Sequence, residues 1–249
     1  IPGVLTADQW GFYDVSFSKT NKDQAIKPEA QRQFSFSQDY GTYVMENVLF
    51  KISFPAEFHA QTAAEAAVIL HPLVKDRLAE IDKIVIRTHE SAIRIISKSG
   101  PLANAADRDH CLQYMAAVPL AFGNLIAEHY EDDFHAANPI IDELRDKMEI
   151  VEDKRFTAEY LEADKRSIAN AIQVFFKDGS STEEVVVEYP VGHRRRREEG
   201  IPLLEQKFKN NLATRFPNRQ CQQIFTLCKD QTALESTAVN RFMDLFVIA

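Results

Sequence analysis

Three side chains suited to acid, base or cation chemistry fall close together: Lys51, Glu57 and His59. A lysine can hold a carboxylate as a compact positive charge. A histidine changes charge near neutral pH, so it can take or give a proton. The three lie where an extended run, residues 48–54, is stopped by Pro55 and a helix begins, a junction at which loops present polar groups to a site. Plain structural roles fit the same residues: Lys51 as a solvated strand lysine, His59 as a helix cap.

A second constellation is Arg108, His110 and Tyr114, within Asn104-Ala105-Ala106-Asp107-Arg108-Asp109-His110-Cys111-Leu112-Gln113-Tyr114. All three fall in the first turns of an expected helix, where His110 and Tyr114, four apart, share a face. A helix N-terminus with an arginine beside it suits an anion. An exposed Arg–Asp pair and a core tyrosine would use the same residues. His89 ends a strand-like run and is either structural or a neighbour of these groups; His71, His129 and His135 are given no role.

Four consecutive arginines, Arg194 to Arg197, follow Gly192-His193. They stand in a chain with 37 acidic residues against 29 lysines and arginines, a net charge of −8. Nucleic-acid binders spread positive charge over a whole face, so an isolated cationic knot better suits a small polyanion such as a multiply charged carboxylate or phosphate. Glu198 and Glu199 partly neutralise the knot, and a solvated charged turn is the competing reading.

Three cysteines, Cys111, Cys221 and Cys228, cannot make a disulfide framework, and they supply neither zinc spacing nor a ligand set for an iron–sulfur cluster. No cofactor or metal is expected. The sequence has no run of 18 or more apolar residues, so no membrane span is expected. Beginning at Ile1 without a methionine, the chain reads as a piece of something longer.

Capping-box spacing at Thr6-Ala7-Asp8-Gln9 starts an expected helix through residues 10–15, followed by a polar loop or insertion over residues 16–39. Residues 61–70 are alanine-rich and open with Thr62-x-x-Glu65, and Pro72 should kink or end that helix before a second piece runs to Ala79. Residues 83–88 and 92–96 are β-branched and read as strands. Helical spacing returns over residues 107–130, interrupted by Pro119 and Gly123, and over residues 140–148. Two β-rich runs, 171–176 and 185–189, flank Asp178-Gly179 as a hairpin. Residues 203–216 and 220–228 are amphipathic, and Thr232-x-x-Glu235 opens a last helix. The expected fold is α+β. Residues 1–54 are the remainder of an all-helical domain with a polar insertion. Residues 55–200 are a central domain of short, mostly antiparallel strands and helices, and residues 201–249 are helices returning to the helical domain.

Several strings resemble the MmgE/PrpD family. They are Trp10-Gly11-Phe12-Tyr13-Asp14-Val15, the run from Tyr43 to Lys51, Phe54-Pro55-Ala56-Glu57-Phe58-His59-Ala60-Gln61-Thr62, Ile86-Arg87-Thr88-His89-Glu90, Ala106-Asp107-Arg108-Asp109-His110-Cys111, Glu188-Tyr189-Pro190-Val191-Gly192-His193 and Lys207-Phe208-Lys209. Members are longer, and this chain resembles their C-terminal half. Their N-terminal helical region, which brings further histidines, an Asp and a Lys to the active site, has no counterpart here.

The resemblance implies a hydro-lyase, independent of iron–sulfur clusters, that removes water from 2-methylcitrate to give 2-methyl-cis-aconitate in the methylcitrate cycle of propionate catabolism. It also implies a homodimer, and a mitochondrial matrix protein if eukaryotic, otherwise a cytoplasmic one; the long segment 18–37 favours the former. The isolated chain is expected to be inactive. Removing a proton next to a carboxylate adds charge to a group already anionic, so cations must face it and an acid must reach the departing hydroxyl. Lys51 and Arg108 are thus expected to hold carboxylates, and His59 or His110 with Tyr114 to move protons. His89, His193 and Arg194 complete the substrate-binding set. The alternatives are another tricarboxylate lyase or isomerase of this fold, with cis-aconitate decarboxylase or aconitate hydratase activity, and a non-catalytic anion-binding module.

Overall fold

Small side chains on one helix and β-branched ones on two strands decide how the chain packs. The computed structural model describes Val48 and residues 50–162 and 164–248. The helix expected over residues 10–15 and the polar stretch after it lie outside the described residues. Helix α1, Gln61–Val74, turns Ala63, Ala64, Ala66, Ala67, Leu70 and Val74 into the core. Pro72 does not end it: the helix runs on to Val74, although a proline at 72 gives no N–H to the Val68 carbonyl one turn back. The piece expected to run to Ala79 is a turn and a short 3₁₀ helix, Leu78–Glu80.

Strand β1, Ile81–Thr88, buries Ile81, Ile84, Ile86 and Thr88. The next β-branched run is not a strand. Residues 90–96 form helix α2, Glu90–Ile96, because His89 caps it by accepting the Ala92 N–H and Glu90 occupies its first turn. Helices α3, Ala105–Asp109, and α4, Leu112–Phe122, are separate. His110 is the C-cap of the first and Cys111 the N-cap of the second, so His110 and Tyr114 do not share one helix face as expected. Gly123, at φ +77°, closes α4 in the left-handed region. After α5, Asp132–Ala137, and α6, Ile140–Arg145, comes strand β2, Met148–Glu152; the helical reading of residues 140–148 runs three residues past the true helix end, onto the first residue of β2.

Helix α7, Lys154–Leu161, leads to β3, Asn170–Phe176, and β4, Val185–Val187. The sheet order is β2-β1-β3-β4, with β1 and β2 parallel and the other two pairings antiparallel. Helix α1 packs on β3, β4 and α4, and α4 packs on α6. Ile84, Ile86, Ile172 and Val174 from the sheet meet the α1 alanines and Leu112, Met115 and Val118 of α4 in one core. Beyond the arginines lie α8, Arg197–Ala213, α9, Asn218–Lys229, α10, Gln231–Ser236, and α11, Val239–Asp244. They build a smaller core from Leu212, Cys221 and Ile224. Asp230, not Thr232, caps α10 by accepting the Ala233 N–H.

The described residues are therefore α+β, with eleven α-helices around a four-stranded mixed sheet. None of these helices is long and apolar enough to cross a membrane.

Candidate active site

Past Pro55 the chain turns into helix α1 through a 3₁₀ turn, Phe58–Ala60, which carries His59 and is capped by Glu57. The Gln61 side chain ties that turn down by donating to the Phe54 and Ala56 carbonyls at 2.8 and 2.9 Å. From the sheet side, Asn170 at the start of β3 donates to the His59 carbonyl at 2.8 Å and to Thr62 Oγ1 at 2.7 Å. The His59 backbone is thus held by both the helix and the sheet.

The His59 ring is fixed as firmly. Glu57 Oε2 accepts the His59 backbone N–H at 2.8 Å, and Oε1 lies 2.8 Å from Nδ1. An ionised carboxylate only accepts, so Nδ1 carries the ring proton and the lone pair of neutral His59 sits on Nε2. Burial pushes the Glu57 carboxyl up, but the hydrogen bonds and charge of His59 outweigh it, helped by His110, and hold it below its ordinary value. Nε2 faces the Tyr160 hydroxyl at 3.2 Å.

Tyr160 comes from the last turn of α7, whose position follows from β1. Asp153 caps α7 through the Arg155 and Phe156 N–H groups, pairs with Arg87 of β1, and its own N–H bonds the Thr88 carbonyl at 2.8 Å. The Glu90 N–H donates to Thr157 Oγ1 at 2.9 Å, joining α2 to α7. Between them His89, 0% exposed, stacks on Tyr160 with centroids 4.6 Å apart and planes 9° apart. The His59 and His89 centroids are 5.2 Å apart. Burial and the neighbouring His59 depress the His89 pKa to about 4, so it is neutral at pH 7. Its Nδ1 accepts from Ala92, which leaves the proton on a buried Nε2 with no partner.

Of the expected site residues, the fold joins His59 and His89 directly. His110 is exposed, 3.5 Å from Asp109, and reaches Glu57 only through its charge. Lys51 is exposed on a segment without a strand ladder, its carbonyl accepting from Lys207 Nζ at 2.7 Å.

Arg108 and Tyr114 belong to a different cluster. Arg108, 2% exposed, donates to the Tyr130 carbonyl at 2.8 Å and pairs with Asp132, while Tyr114 donates to the His129 carbonyl at 2.6 Å. Burial raises the Tyr114 pKa to about 12. These bonds weld α3 and α4 to the turn ahead of α5. Arg108→Met should therefore lower stability by roughly 2–4 kcal/mol, through an orphaned carbonyl and lost packing. Thermal unfolding without ligand checks this; an unchanged midpoint would speak for a substrate-facing arginine.

The arginine run is mostly spent on the fold. Arg196 donates to both Glu65 oxygens at 2.9 and 2.8 Å and also pairs with Glu199; hydrogen bonding to Glu65 raises its pKa. Arg195 donates to the Lys165 and Asp164 carbonyls. Arg194 is exposed at the start of the 3₁₀ turn Arg194–Arg196. His193 caps that turn, accepting the Arg195 N–H at 3.2 Å, and rests on Tyr189 at 4.5 Å. Burial and then Arg195, Arg194 and Arg197 depress its pKa to about 4.

His89 and His193 both titrate lower when folded than the ordinary 6.5. As pH falls through 6.5 the unfolded chain takes up protons that the folded chain refuses. Their contribution to stability is complete above about pH 6.5 and is lost as pH falls towards 4. Denaturant midpoints at pH 7.5 and 5 should show this decline, and His193→Asn should flatten it. An equal decline in the variant would rule out His193 as a source.

Tyr160 and the pairing of Glu57 with His59 were beyond the expected site. Glu57 stands two residues from His59, so its signal was local; Tyr160 is 101 residues away on an ordinary amphipathic helix and carried none.

With this geometry in place, comparison with known proteins gives a consistent result. The model of the MmgE/PrpD C-terminal domain matches residues 54–231. A 2-methylcitrate dehydratase of Escherichia coli (strain K12) is 55% identical over 99% of this chain and 49% of its own length. One from Cupriavidus necator is 54% identical, again over 99% of the chain and 49% of that protein. A mitochondrial 2-methylcitrate dehydratase of Yarrowia lipolytica is 50% identical, over 99% of the chain and 45% of that protein. The chain spans about half the length of the curated relatives it matches.

Proposed function

This chain belongs to the MmgE/PrpD family, and on that footing we propose that it is the part of a 2-methylcitrate dehydratase that supplies proton transfer through His59. The reading is supported above all by the Glu57–His59 pair. A carboxylate on Nδ1 fixes the tautomer, leaves Nε2 basic, and stabilises the imidazolium that forms when a proton arrives. His89 supplies a buried N–H that can meet the negative charge developing on a carboxylate during the elimination. Lys51 and the exposed Arg194 are retained as cations for the outer carboxylates.

The activity resides, on this reading, in a protein of the relatives' length, as a homodimer in which further groups complete the site. Residues 201–249 join the helical domain of that protein, and the strong exposure of Val239, Met243 and Val247 favours such a partner surface. The Yarrowia relative favours a mitochondrial matrix location if the source is eukaryotic; otherwise the cytoplasm.

The test is product analysis on 2-methylcitrate, citrate and cis-aconitate with the protein at that length. Water loss from 2-methylcitrate, fastest of the three, is the expected outcome. Release of carbon dioxide from cis-aconitate would assign a decarboxylase instead, and binding without turnover an anion-binding module.

A further inference from the structure

We infer that Tyr160, with His59 behind it, is the group that exchanges protons with the substrate. The inference rests on the proposed reaction and adds to it a catalytic residue. Both nitrogens of the His59 ring are engaged: Nδ1 by Glu57 at 2.8 Å, and Nε2 by Tyr160 Oη at 3.2 Å. No ring nitrogen of His59 is left for a ligand. Tyr160 is half-buried, and its oxygen, once it donates to Nε2, still has lone pairs to offer.

Nor is Tyr160 placed to swing aside. Its ring is stacked on buried His89 at 4.6 Å and lies against His59 at 5.7 Å, on a helix pinned to β1 through Asp153. The independent sign of a ligand beside it is the His89 Nε2 proton, fully buried and without a partner. Such a donor is costly unless something accepts from it.

The proton balance closes within these groups. Tyr160 Oη takes the proton from the carbon next to the carboxylate as its own proton passes to His59 Nε2, and Glu57 holds the imidazolium. The electron pair of the broken C–H bond forms the double bond while the C–O bond breaks. The departing hydroxide takes a proton from Tyr160 Oη, which recovers one from His59 Nε2. Water leaves and the relay is restored. This is the arrangement of a carboxylate, an imidazole and a hydroxyl in which the imidazole serves as base for the hydroxyl.

Tyr160→Phe keeps the stacked ring and removes only the oxygen. Turnover should fall by about 10²–10⁴, with an unchanged thermal midpoint. The pH–rate profile should lose the limb assigned to the relay. Full turnover in Tyr160→Phe, with turnover lost in His59→Ala, would overturn the relay and leave the proposed function standing. Histidine ¹⁵N spectra give a readout free of activity. His59 should be protonated on Nδ1, with its Nε2 signal shifting when Tyr160 becomes Phe. A proton on Nε2, or an unmoved Nε2 signal, would overturn the relay whatever the turnover.

Discussion

His59→Ala, made in a protein of the relatives' length, is expected to lower kcat/KM for 2-methylcitrate by about 10²–10⁴, the usual contribution of a positioned acid–base group. The loss should appear mainly in kcat, because the imidazole handles a proton that moves only in the transition state. Its side chain bonds only Glu57 and Tyr160 among the described residues and packs outside the apolar core, so the thermal midpoint should change little. Glu57→Gln should give a smaller loss in the same direction, since an amide can still accept from Nδ1 but no longer neutralises the imidazolium. Steady-state kinetics decide the matter. A fall of less than roughly tenfold, about 1.4 kcal/mol, would remove His59 from the reaction.

Gly192→Ala is expected to be the most damaging single methyl group in the described structure. Gly192 sits at φ +104°, where an L side chain is strained. A Cβ there would lie 2.1 Å from the Phe50 carbonyl oxygen and 3.2 Å from Ile52 Cδ1. The backbone must therefore separate where it now closes, since Phe50 donates to the Gly192 carbonyl at 3.3 Å. The same segment is held by Arg197, which lies over the Phe50 ring at 4.5 Å and donates to the Val48 carbonyl at 3.2 Å. Lys207 holds the Lys51 carbonyl. The fastening of the Lys51 segment would be lost. Strain and clash together should cost roughly 3 kcal/mol or more, a drop in midpoint of roughly 6–12 °C for a chain of this size. Calorimetry would measure it, and limited proteolysis should find new cleavage near Phe50. A midpoint within about 2 °C of the parent would mean that the segment yields freely.

What could be read from residues alone was whatever local sequence decides. Ile81–Thr88 and Asn170–Phe176 are strands because β-branched side chains alternate or run continuously there, and both were legible. Residues 92–96 carry three isoleucines and looked the same, but the cap at His89 and the contacts with α7 make them a helix. β2 was hidden because its short Met148–Glu152 run follows a helix without any break signal. The site divides in the same way. His59 and Glu57 are near neighbours in sequence, so both residues stood out, but their pairing through Nδ1 did not. Tyr160 reaches them only through the path from β1 by way of Asp153 to α7. Arg108 and Tyr114 look like site residues from spacing, yet the carbonyls of Tyr130 and His129 take their polar groups. Those partners come from a turn whose position no local pattern gives.

On the proposed function, one cluster, Glu57, His59, His89 and Tyr160, receives a tricarboxylate. The most direct test is the histidine ¹⁵N–¹H spectrum of the full-length protein titrated with tricarballylate, which has three carboxylates and no hydroxyl to lose. The signals of His59 and His89 should move together as the ligand saturates, while those of His71 and His129 stay in place. Saturable binding that leaves His59 and His89 unmoved would contradict the account.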